Sequence, residues 1–442
     1  MGWVIASIAA RAHADGWSAI SVETCQAIGR SLAWPYPVPS AHRVVSVLSR
    51  AMGVATAIIH SVRLISAAVD RSDAFVAIAD GRVLATGTGN GWRELAGVDA
   101  DVLDGAGHIL TPGLIDIHNH GGAGATYGDG DGGEAIRTAS RLHREHGVTR
   151  QLLSLVTAAP EDLIAQIQVA AAETRRDPTI LGIHLEGPFL SRKYCGAHDP
   201  ALLRDPDPGL VEQLLSAANG TLRQVTMAPE RTNFAKSASI FREAGVVVAA
   251  GHTAATYEQT RASIDEGANL LTHTFNGMPG VHHRAPGPVL AFVEDSGVWL
   301  EVINDGIHVR PEVIRMLYRL APGRVALVSD AMAAAGVGDG RYHLGNLDVE
   351  VANGVARVIG GTSIAGSTLT LDAAVAYGVQ TVGLTPLEVI EAATVVPARI
   401  LGVDDEFGRL EPGYVGDAVL FDKDWQVRSV WIGGQLVGER EQ

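Results

Sequence analysis

The chain has 442 residues, more than one compact core usually organises, so we expect a large domain with a smaller companion. Hydrophobic residues make up 47% and aromatic residues 5%, which is typical of an α/β protein and excludes disorder over most of the chain. The 34 Lys and Arg against 49 Asp and Glu give a net charge of -15, which argues against a nucleic-acid partner. Any anionic ligand must therefore meet local positive groups.

The two cysteines, Cys25 and Cys195, are too few for a disulfide framework and lack the paired spacing of a thiolate metal site. We therefore expect a reducing, cytoplasmic location. No Lys or Arg precedes the apolar opening MGWVIASIAARAHA, which disfavours a secretory signal. Because no apolar run approaches the ~20 residues that span a bilayer, we expect no membrane partner.

The first part of the chain divides into an irregular segment and a β-patterned one. Residues 1–53 contain the Pro-rich stretch WPYPVPS and no sustained alternation, so we expect an N-terminal extension whose order the pattern leaves open. Over residues 54–112 the runs AIIHSVRLI and AFVAIADGRVLATG are joined by turns with Asp-Gly and Gly. They predict the first part of a small β-sandwich domain.

Residues 113–405 alternate apolar strands with amphipathic helices, for example EAIRTASRLHREHG and EDLIAQIQVAAAETRR. The eight strands read LIDIH, RQLLSLV, ILGIHLE, RQVTMA, VVVAAGH, LLTHTF, VWLEVIN and VALVSD. Eight such repeats predict an α/β fold with a (β/α)8 TIM-like barrel. Residues 406–442 return to a β pattern with a Gly-Gly hairpin, so we expect them to complete the β-sandwich domain around the inserted barrel.

Histidines and an acid follow the predicted strands at their carboxyl ends. His118 and His120 end the first strand two residues apart, which directs both imidazoles to the same face. Glu186, His252 and His273 end the third, fifth and sixth strands. Imidazoles and a carboxylate inside an apolar barrel are costly unless they are hydrogen bonded or bind a metal, so we expect a metal centre here.

Three further polar residues lie near these strand ends. Asp330 ends the eighth strand, where a carboxylate beside metal-activated water can act as general base and later as general acid. The alternative is that Asp330 caps the following helix. His308 follows the seventh strand without a companion at ligand spacing, so we expect it to contact substrate. His184 is better explained as a barrel-interior histidine that is satisfied by hydrogen bonds.

A series of segments along the chain reads PGLIDIHNHGG, HLEGPFLS, GAHDP, AGHTAAT, THTFNGM, HHRAPG, DGIHV, VSDAMAAAG and GGTSIAGSTLTLDAAV. In this order they resemble the N-acetylglucosamine-6-phosphate deacetylase family of the amidohydrolase superfamily. The resemblance runs from about residue 54 to the C-terminus. It implies hydrolysis of N-acetylglucosamine 6-phosphate to glucosamine 6-phosphate and acetate by metal-activated water, with Asp330 as general base and acid, in amino-sugar and cell-wall recycling.

The resemblance also implies a metal held by Glu186, His252 and His273. Members of the family that carry Gln-x-Asn on the first strand bind one metal, whereas those with His-x-His can bind two. Since this chain has His118 and His120, we expect a second ion bridged by Glu186 with Asp330 nearby. One or two divalent ions per subunit are thus expected, and imidazole and carboxylate ligands suit Zn²⁺, Fe²⁺ and Mn²⁺ alike.

The substrate contacts that the resemblance implies divide between the two ends of the sugar phosphate. His308 would polarise the acetyl carbonyl, and His198 would contact the sugar. Asn276, the backbone of Gly277 and Arg284 would bind the phosphate. Since the neighbouring subunit usually supplies this arginine in the family, we expect a homodimer.

Cys195 departs from the family pattern, because a Lys or another polar residue is expected at this position of the substrate-contacting loop. A thiol there could touch ligand or metal. We favour an ordinary reduced loop cysteine, since no neighbouring His or helix start activates it.

Two other functions are compatible with the fold. One is a different amidohydrolase that acts on cyclic amides or N-acyl amino acids. Many of those enzymes bridge their metals with a carboxylated Lys on the fourth strand, but RQVTMA contains no Lys, and Arg284 would be without a purpose. The other is a metal-free scaffold, which would normally have lost metal ligands, and none is missing here.

Overall fold

The computed structural model describes residues 53–439. The extension expected over residues 1–53 lies outside the described residues, apart from Gly53, and Cys25 lies there too. Within the described range, no helix is long and apolar enough to cross a membrane.

Five β-strands open the described chain. They are β1 (Ala55–Ser66), β2 (Val69–Ala79), β3 (Arg82–Thr88), β4 (Ala96–Asp104) and β5 (Ile109–Pro112). A 3-10 helix over Gly89–Glu94 separates β3 from β4. β1 is the centre of this group, because it pairs antiparallel with β2 and parallel with both β4 and β5.

The eight predicted barrel strands all form, with a short hairpin after the first of them. They are β6 (Leu114–Asp116), the hairpin strands β7 (Gly121–Gly122) and β8 (Ala125–Thr126), β9 (Val148–Val156), β10 (Ile180–Glu186), β11 (Leu222–Met227), β12 (Val247–Ala250), β13 (Leu270–Leu271), β14 (Trp299–Ile303) and β15 (Val325–Val328). The barrel sheet runs β15-β14-β13-β12-β11-β10-β9-β6, and its neighbouring strands are parallel. The predicted (β/α)8 fold is confirmed.

Helices connect the strands and cover the outside of the barrel. They are α1 (Glu134–Glu145), α2 (Pro160–Arg176), α3 (Pro208–Ala218), α4 (Phe234–Glu243), α5 (Tyr257–Asp265), α6 (Gly287–Glu294), α7 (Pro311–Leu320), α8 (Leu371–Tyr377), α9 (Pro386–Ala393) and α10 (Val395–Ile400). Local chemistry explains where several begin. Proline opens α2, α3, α7 and α9, where a missing N–H costs nothing. Thr256 and Thr385 form capping boxes at α5 and α9.

Side-chain and backbone hydrogen bonds join the two terminal strands of the barrel sheet, β6 and β15. The buried carboxylate of Asp116 accepts from the Ser329 hydroxyl at 2.6 Å and from the backbone N–H of His118 at 3.3 Å. Beyond the strand ends, the backbone N–H of Asp330 donates to the carbonyl of His118 at 2.8 Å. Burial raises the pKa of Asp116 to about 6, although the hydrogen bonds from Ser329 oppose this. This junction therefore fixes His118 and Asp330 relative to each other.

A three-stranded antiparallel sheet follows the last barrel strand, and the sequence analysis did not anticipate it. Its strands are β16 (Gly340–Leu344), β17 (Leu347–Ala352) and β18 (Val355–Val358). The signal that could have found it is Asn353-Gly354, whose positive φ values of 52° and 73° form a two-residue hairpin turn. The sheet matters for function because Leu344 at the end of β16 lines the main cavity.

The chain then returns to the sheet in which it began. β19 (Ala418–Phe421), β20 (Val427–Ile432) and β21 (Gln435–Glu439) extend the order to β21-β20-β19-β5-β1-β2-β3, with β4 on β1. β19 pairs antiparallel with β5, so segments before and after the barrel share one sheet. Gly433 and Gly434, with φ of 55° and 75°, form the predicted hairpin between β20 and β21.

Candidate active site

A cavity of about 330 Å³ opens at the carboxyl ends of the barrel strands. Its lining combines polar and small residues from the strand ends and loops with apolar residues from β16 and the loop after β18. They are His120, Glu186, Lys193, Tyr194, Gly196, Ala197, His198, His252, His273, Asn276, Gly277, His308, Asp330, Leu344, Ser363, Ile364 and Gly366. The eight-stranded barrel thus brings together side chains that are up to 246 positions apart along the chain.

Glu186, the last residue of β10, lies at the centre of the cluster, and its side chain is buried. Its Oε1 lies 3.2 Å from Nε2 of His252 and 3.0 Å from Nε2 of His273. Its Oε2 lies 3.2 Å from Nε2 of His120 and 3.3 Å from Nε2 of His198. Each carboxylate oxygen therefore has two imidazoles within 3.3 Å, and Nε2 of His118 lies 3.5 Å from Oε1.

His118 and His120 lie beside Asp330 on the other side of Glu186. Their Nε2 atoms are 3.2 Å apart. Oδ1 of Asp330 is 3.2 Å from Nε2 of His120 and 3.5 Å from Nε2 of His118. The potential ligand atoms of His118, His120 and Glu186 all lie within 4.8 Å of one another, as do those of Glu186, His198 and His252.

The backbone at three of these positions is strained. His252, His273 and Asp330 have φ of 44°, 26° and 49°, in the left-handed region that side chains other than glycine rarely adopt. Such strain costs of order 1–3 kcal/mol per residue and is concentrated at functional sites. Each strained residue lies two positions after the end of a short barrel strand. The backbone therefore turns sharply where the side chain enters the cavity.

Two glycines leave room for the ring of His252. A Cβ added at Gly196 would lie 2.7 Å from Cε1 of His252, and one added at Gly277 would lie 2.8 Å from its Nδ1. The carbonyl of Tyr194 is also 2.8 Å from that Nδ1. The loop that contains Tyr194 and Gly196 therefore meets the loop that contains Gly277 at this imidazole.

The hydrogen bonds behind the imidazoles determine which nitrogen faces the cluster. Nδ1 of His252 donates to the carbonyl of Tyr194 at 2.8 Å, and Nδ1 of His120 donates to the carbonyl of Ser154 at 3.2 Å. Each Nε2 is then the ring atom that faces the Glu186 carboxylate. Lone pairs and carboxylate oxygens 3.0–3.5 Å apart repel one another unless a proton or cation lies among them. Because this nitrogen and oxygen donor set is one that divalent metals accept, the residues fit a metal ion.

The charged groups of the cluster shift one another's pKa values, and each shift favours the charged form of the group. Burial lowers the pKa of His120, but hydrogen bonds to Asp330 and Glu186 outweigh it and raise the pKa to about 9. Burial would raise the pKa of Asp330, yet the neighbouring His118 and His120 lower it to about 2. The pKa of Glu186 is likewise well below its usual value, because His118 and His252 overcome the effect of burial. The centre therefore stabilises two carboxylates by positive charge.

His308 lines the cavity next to a carboxylate partner of its own. Its Nδ1 lies 2.6 Å from Oδ2 of Asp305, whose Oδ1 accepts the backbone N–H of His308 at 2.8 Å. Burial lowers the pKa of His308, but the Asp305 carboxylate outweighs this effect and raises it. The same pairing lowers the pKa of Asp305 against the effect of its burial.

The residues expected to contact phosphate divide into two groups. Asn276 and Gly277 line the cavity. Arg284 is exposed and lies outside the lining of this single chain. Of the Lys and Arg residues in the described chain, Lys193 is the one that lines the cavity, and sequence analysis did not single it out.

Sequence analysis also missed Glu301 and Gln224, which are buried behind the cluster. Glu301 on β14 accepts from Nδ1 of His118 at 3.0 Å, and it accepts from the side-chain amide of Gln224 at 2.9 Å. The signal was a single acid inside the apolar run VWLEVIN. His184, by contrast, is satisfied by the hydroxyls of Ser154 and Thr226 at 2.9 Å each, as expected. Burial lowers the pKa of His184 well below its usual value, so it is neutral.

The sequence profile of the amidohydrolase family matches residues 109–437, which include the whole barrel and every residue of the cluster. The chain belongs to the amidohydrolase family. The fourth strand of this amidohydrolase, β11, carries no Lys that could be carboxylated.

Known relatives of this amidohydrolase are sugar-phosphate deacetylases. The N-acetylgalactosamine-6-phosphate deacetylase of Escherichia coli O157:H7 is 39% identical over 342 residues, which cover 77% of this chain and 90% of that protein. The N-acetylglucosamine-6-phosphate deacetylase of Bos taurus is 34% identical over 351 residues, which cover 77% of this chain and 86% of that protein. The resemblance read from the sequence is therefore confirmed.

Solved structures agree with these relatives. The crystal structure of N-acetyl-D-glucosamine-6-phosphate deacetylase from Mycobacterium smegmatis is 41% identical, with a TM-score of 0.80, and covers 86% of this chain and 99% of that chain. A mutant of that enzyme was solved in complex with N-acetyl-D-glucosamine-6-phosphate, and it superimposes with the same TM-score. The barrel and the additional sheets thus follow the architecture of a sugar-phosphate deacetylase.

Proposed function

We propose that this chain hydrolyses the acetamide of N-acetylglucosamine 6-phosphate to glucosamine 6-phosphate and acetate. The observation that carries the proposal is the double pairing of Glu186, whose two carboxylate oxygens each face two imidazoles in a cavity that also holds Asp330. The relatives in the family act on acetylated hexosamine 6-phosphates, which supports the substrate class.

We assign one metal position to Glu186, His252 and His273 and a second to His118, His120 and Glu186. A divalent ion bound there polarises the acetyl carbonyl and lowers the pKa of water. His198 lines the same cavity with Nε2 3.3 Å from Oε2 of Glu186, and we assign it a contact with the sugar. Zn²⁺, Fe²⁺ and Mn²⁺ all suit these ligands.

Asp330 is the group that moves the proton. Its carboxylate has a pKa lowered to about 2 by His118 and His120 against the effect of burial, so it is ionised and able to accept a proton from the attacking water. The protonated acid then donates to the sugar nitrogen as the C–N bond breaks. Acetate and an amine are the products, and Asp330 returns to its starting charge.

His308 supplies a hydrogen bond to the acetyl oxygen. Nδ1 donates to Asp305, whose carboxylate raises the pKa of His308 against the effect of burial, so Nε2 is the ring atom left to act as donor to the acetyl oxygen. A positive donor aimed at an oxygen that becomes negative stabilises the transition state more than the ground state. Asp305 thereby holds both the charge and the orientation of the ring.

The phosphate end is assigned to Asn276, to the backbone of Gly277 and to two cations. Lys193 lines the same cavity as Asn276 and Gly277, which makes it a candidate cation for the phosphate. The exposed Arg284 would complete the site from a second copy of the chain.

N-acetylgalactosamine 6-phosphate is a second candidate substrate, because a relative of 39% identity acts on that epimer. A direct test incubates the full chain, loaded with Zn²⁺, Fe²⁺ or Mn²⁺, with each epimer and measures acetate and free amine. We expect equimolar release of both products from N-acetylglucosamine 6-phosphate, and its loss after chelation and dialysis. No amine release with any of these metals would contradict the proposed function.

A further inference from the structure

We propose that Glu301 is a positioning residue that determines whether the second metal position, formed by His118, His120 and Glu186, can be filled. The proposal rests on the proposed function, because it takes the cluster to be a metal centre. Glu301 itself belongs to β14 and does not line the cavity. Its effect on the centre must therefore pass through the residues that it contacts.

Burial of the Glu301 carboxylate costs free energy that other contacts must offset. Its exposed fraction is 0%, and its strand neighbours Leu300, Val302 and Ile303 are equally buried. A buried carboxylate loses several kcal/mol of solvation unless its oxygens are hydrogen bonded or paired. Within residues 53–439, no Lys or Arg forms an ion pair with Glu301, and its one ion-pair partner is His118.

Three hydrogen bonds to three other barrel strands or strand ends compensate this cost. Oε2 of Glu301 accepts from Nδ1 of His118 at 3.0 Å and from the backbone N–H of His273 at 3.2 Å. Oε1 accepts from the side-chain amide of Gln224 on β11 at 2.9 Å. A single carboxylate therefore holds one proposed ligand of each metal position, His118 by its ring and His273 by its backbone.

The contact with His118 also determines which ring nitrogen faces the metal centre. Because a carboxylate only accepts, Nδ1 of His118 carries a hydrogen, and Nε2 is the ring atom that faces Glu186 and His120 and is left to bind a metal. The Nδ1 atoms of His120 and His252 donate to neutral carbonyls instead. His118 is thus the ligand with the strongest acceptor behind it, and partners of this kind orient a ligand and increase its basicity.

The contact with His273 acts on the backbone. His273 has φ of 26°, and its Nδ1 has no hydrogen-bond partner among the described residues. The N–H bond to Glu301 therefore helps to hold this strained residue, whereas its ring is set by the cluster itself. This bond does not select a ring nitrogen of His273. Loss of Glu301 should therefore weaken metal binding at the His118 position more than at the His252–His273 position.

The variant Glu301→Gln tests the proposal, with Gln224→Met as the matched control. The amide keeps the size of Glu301 but removes its charge, so the ring of His118 is left with at most a neutral amide oxygen behind Nδ1. Gln224→Met removes only the bond to Oε1 and leaves the bonds to Oε2. Circular dichroism and the thermal midpoint of the metal-free proteins establish that both variants fold.

The readout is metal binding rather than turnover. Metal-free protein is titrated with Zn²⁺ in a calorimeter, and bound metal is counted by elemental analysis after dialysis. We expect two sites in the wild type and in Gln224→Met. In Glu301→Gln the weaker site should lose about 10- to 100-fold in affinity, while the tighter site changes by less than about threefold.

A thermodynamic cycle separates positioning from general damage. In His118→Ala the weaker site is already lost, so adding Glu301→Gln should change the tighter site no further. Two sites with wild-type affinities in Glu301→Gln would overturn the role of Glu301 and leave the proposed function intact. A wild type with a single site that Glu301→Gln does not affect would also overturn it, whereas a wild type that binds no divalent metal would contradict the proposed function itself.

Discussion

Asp330 combines three properties that a proton-transferring group needs. It is buried, it is ionised because His118 and His120 lower its pKa to about 2 against the effect of burial, and its left-handed backbone holds it at the cavity. Its Oδ1 lies 3.2 Å from Nε2 of His120, so the carboxylate is next to the residues that would hold a metal. From the sequence, only the position of Asp330 at the end of a strand could be predicted.

Asp330→Asn tests this role. The amide has nearly the same shape but cannot accept the proton, so kcat should fall about 100- to 10,000-fold while KM and bound metal stay near the wild-type values. Steady-state kinetics on metal-replete protein measures the effect. Asp199→Asn, which changes a nearby carboxylate that bonds only a backbone N–H, is the control. Wild-type kcat in Asp330→Asn would refute the assignment.

Lys193→Gln tests the phosphate end. The lysine is exposed, and solvent screens its charge, so we expect only about a 3- to 10-fold increase in KM for the phosphorylated sugar, with kcat nearly unchanged. Cleavage of the unphosphorylated sugar should not respond. Lys236→Gln, which removes an exposed charge on α4, should leave both substrates unaffected. An equal effect of Lys193→Gln on both sugars would show that Lys193 does not act on the phosphate.

At the scale of the elements, strand periodicity was sufficient to predict the barrel, because each strand is an apolar run of buried residues. The strand ends also indicated Glu186 and the histidines, since polar groups stood out where apolar runs stopped. Glu301 was missed because it lies inside a strand, where its partners come from β6 and β11 and are distant in sequence. The sheet β16–β18 was missed because its alternating residues fall within a segment interpreted as barrel. The domain boundaries stay a prediction.

A pH-dependent contact between the helix α1 and the hairpin strand β7 offers a test of packing between two elements. His143 of α1 is buried, donates to the carbonyl of Gly121 at 3.0 Å and has a pKa lowered to about 4, chiefly by burial. The neutral ring is therefore favoured in the folded state, whereas an unfolded His titrates near 6.5. Stability from this difference is fully present above about pH 6.5 and is lost as the pH falls towards 4.

Urea unfolding at pH 7.5 and pH 5 measures this effect. Between these values the wild type should lose about 2 kcal/mol more free energy of unfolding than His143→Gln, whose side chain does not titrate. The variant is less stable at pH 7.5, so the comparison concerns the change with pH and not the absolute stability. Parallel losses in the two proteins would exclude His143 as the source.

At the scale of the whole molecule, one chain holds all residues of the proposed metal centre but not all of the proposed phosphate site. The barrel is joined to the eight-stranded sheet by the pairing of β5 with β19 and by the buried ion pair of Arg150 with Asp417 at 2.7 Å. Arg284, in contrast, is exposed and outside the cavity lining. A homodimer that shares Arg284 stays a prediction, and so does a cytoplasmic location.

Mixed dimers test the shared site. If Arg284 acts across an interface, a dimer of one Asp330→Asn chain and one Arg284→Gln chain contains one site that is wild type in all its parts. Random reassociation of equal amounts makes half of the dimers mixed, so about a quarter of wild-type activity should return. No recovery, although mixed dimers are detected by mass spectrometry, would mean that Arg284 serves its own chain or does not serve the site.

The most direct test of the central claim compares kcat/KM for acetate release from N-acetylglucosamine 6-phosphate and from N-acetylglucosamine by the metal-loaded wild type. Charge-assisted hydrogen bonds from Lys193, Asn276 and Arg284 to the phosphate should favour the phosphorylated sugar at least about 100-fold. Metal removal should abolish both activities. Equal values of kcat/KM for the two sugars would contradict the account of this chain as a sugar-phosphate deacetylase.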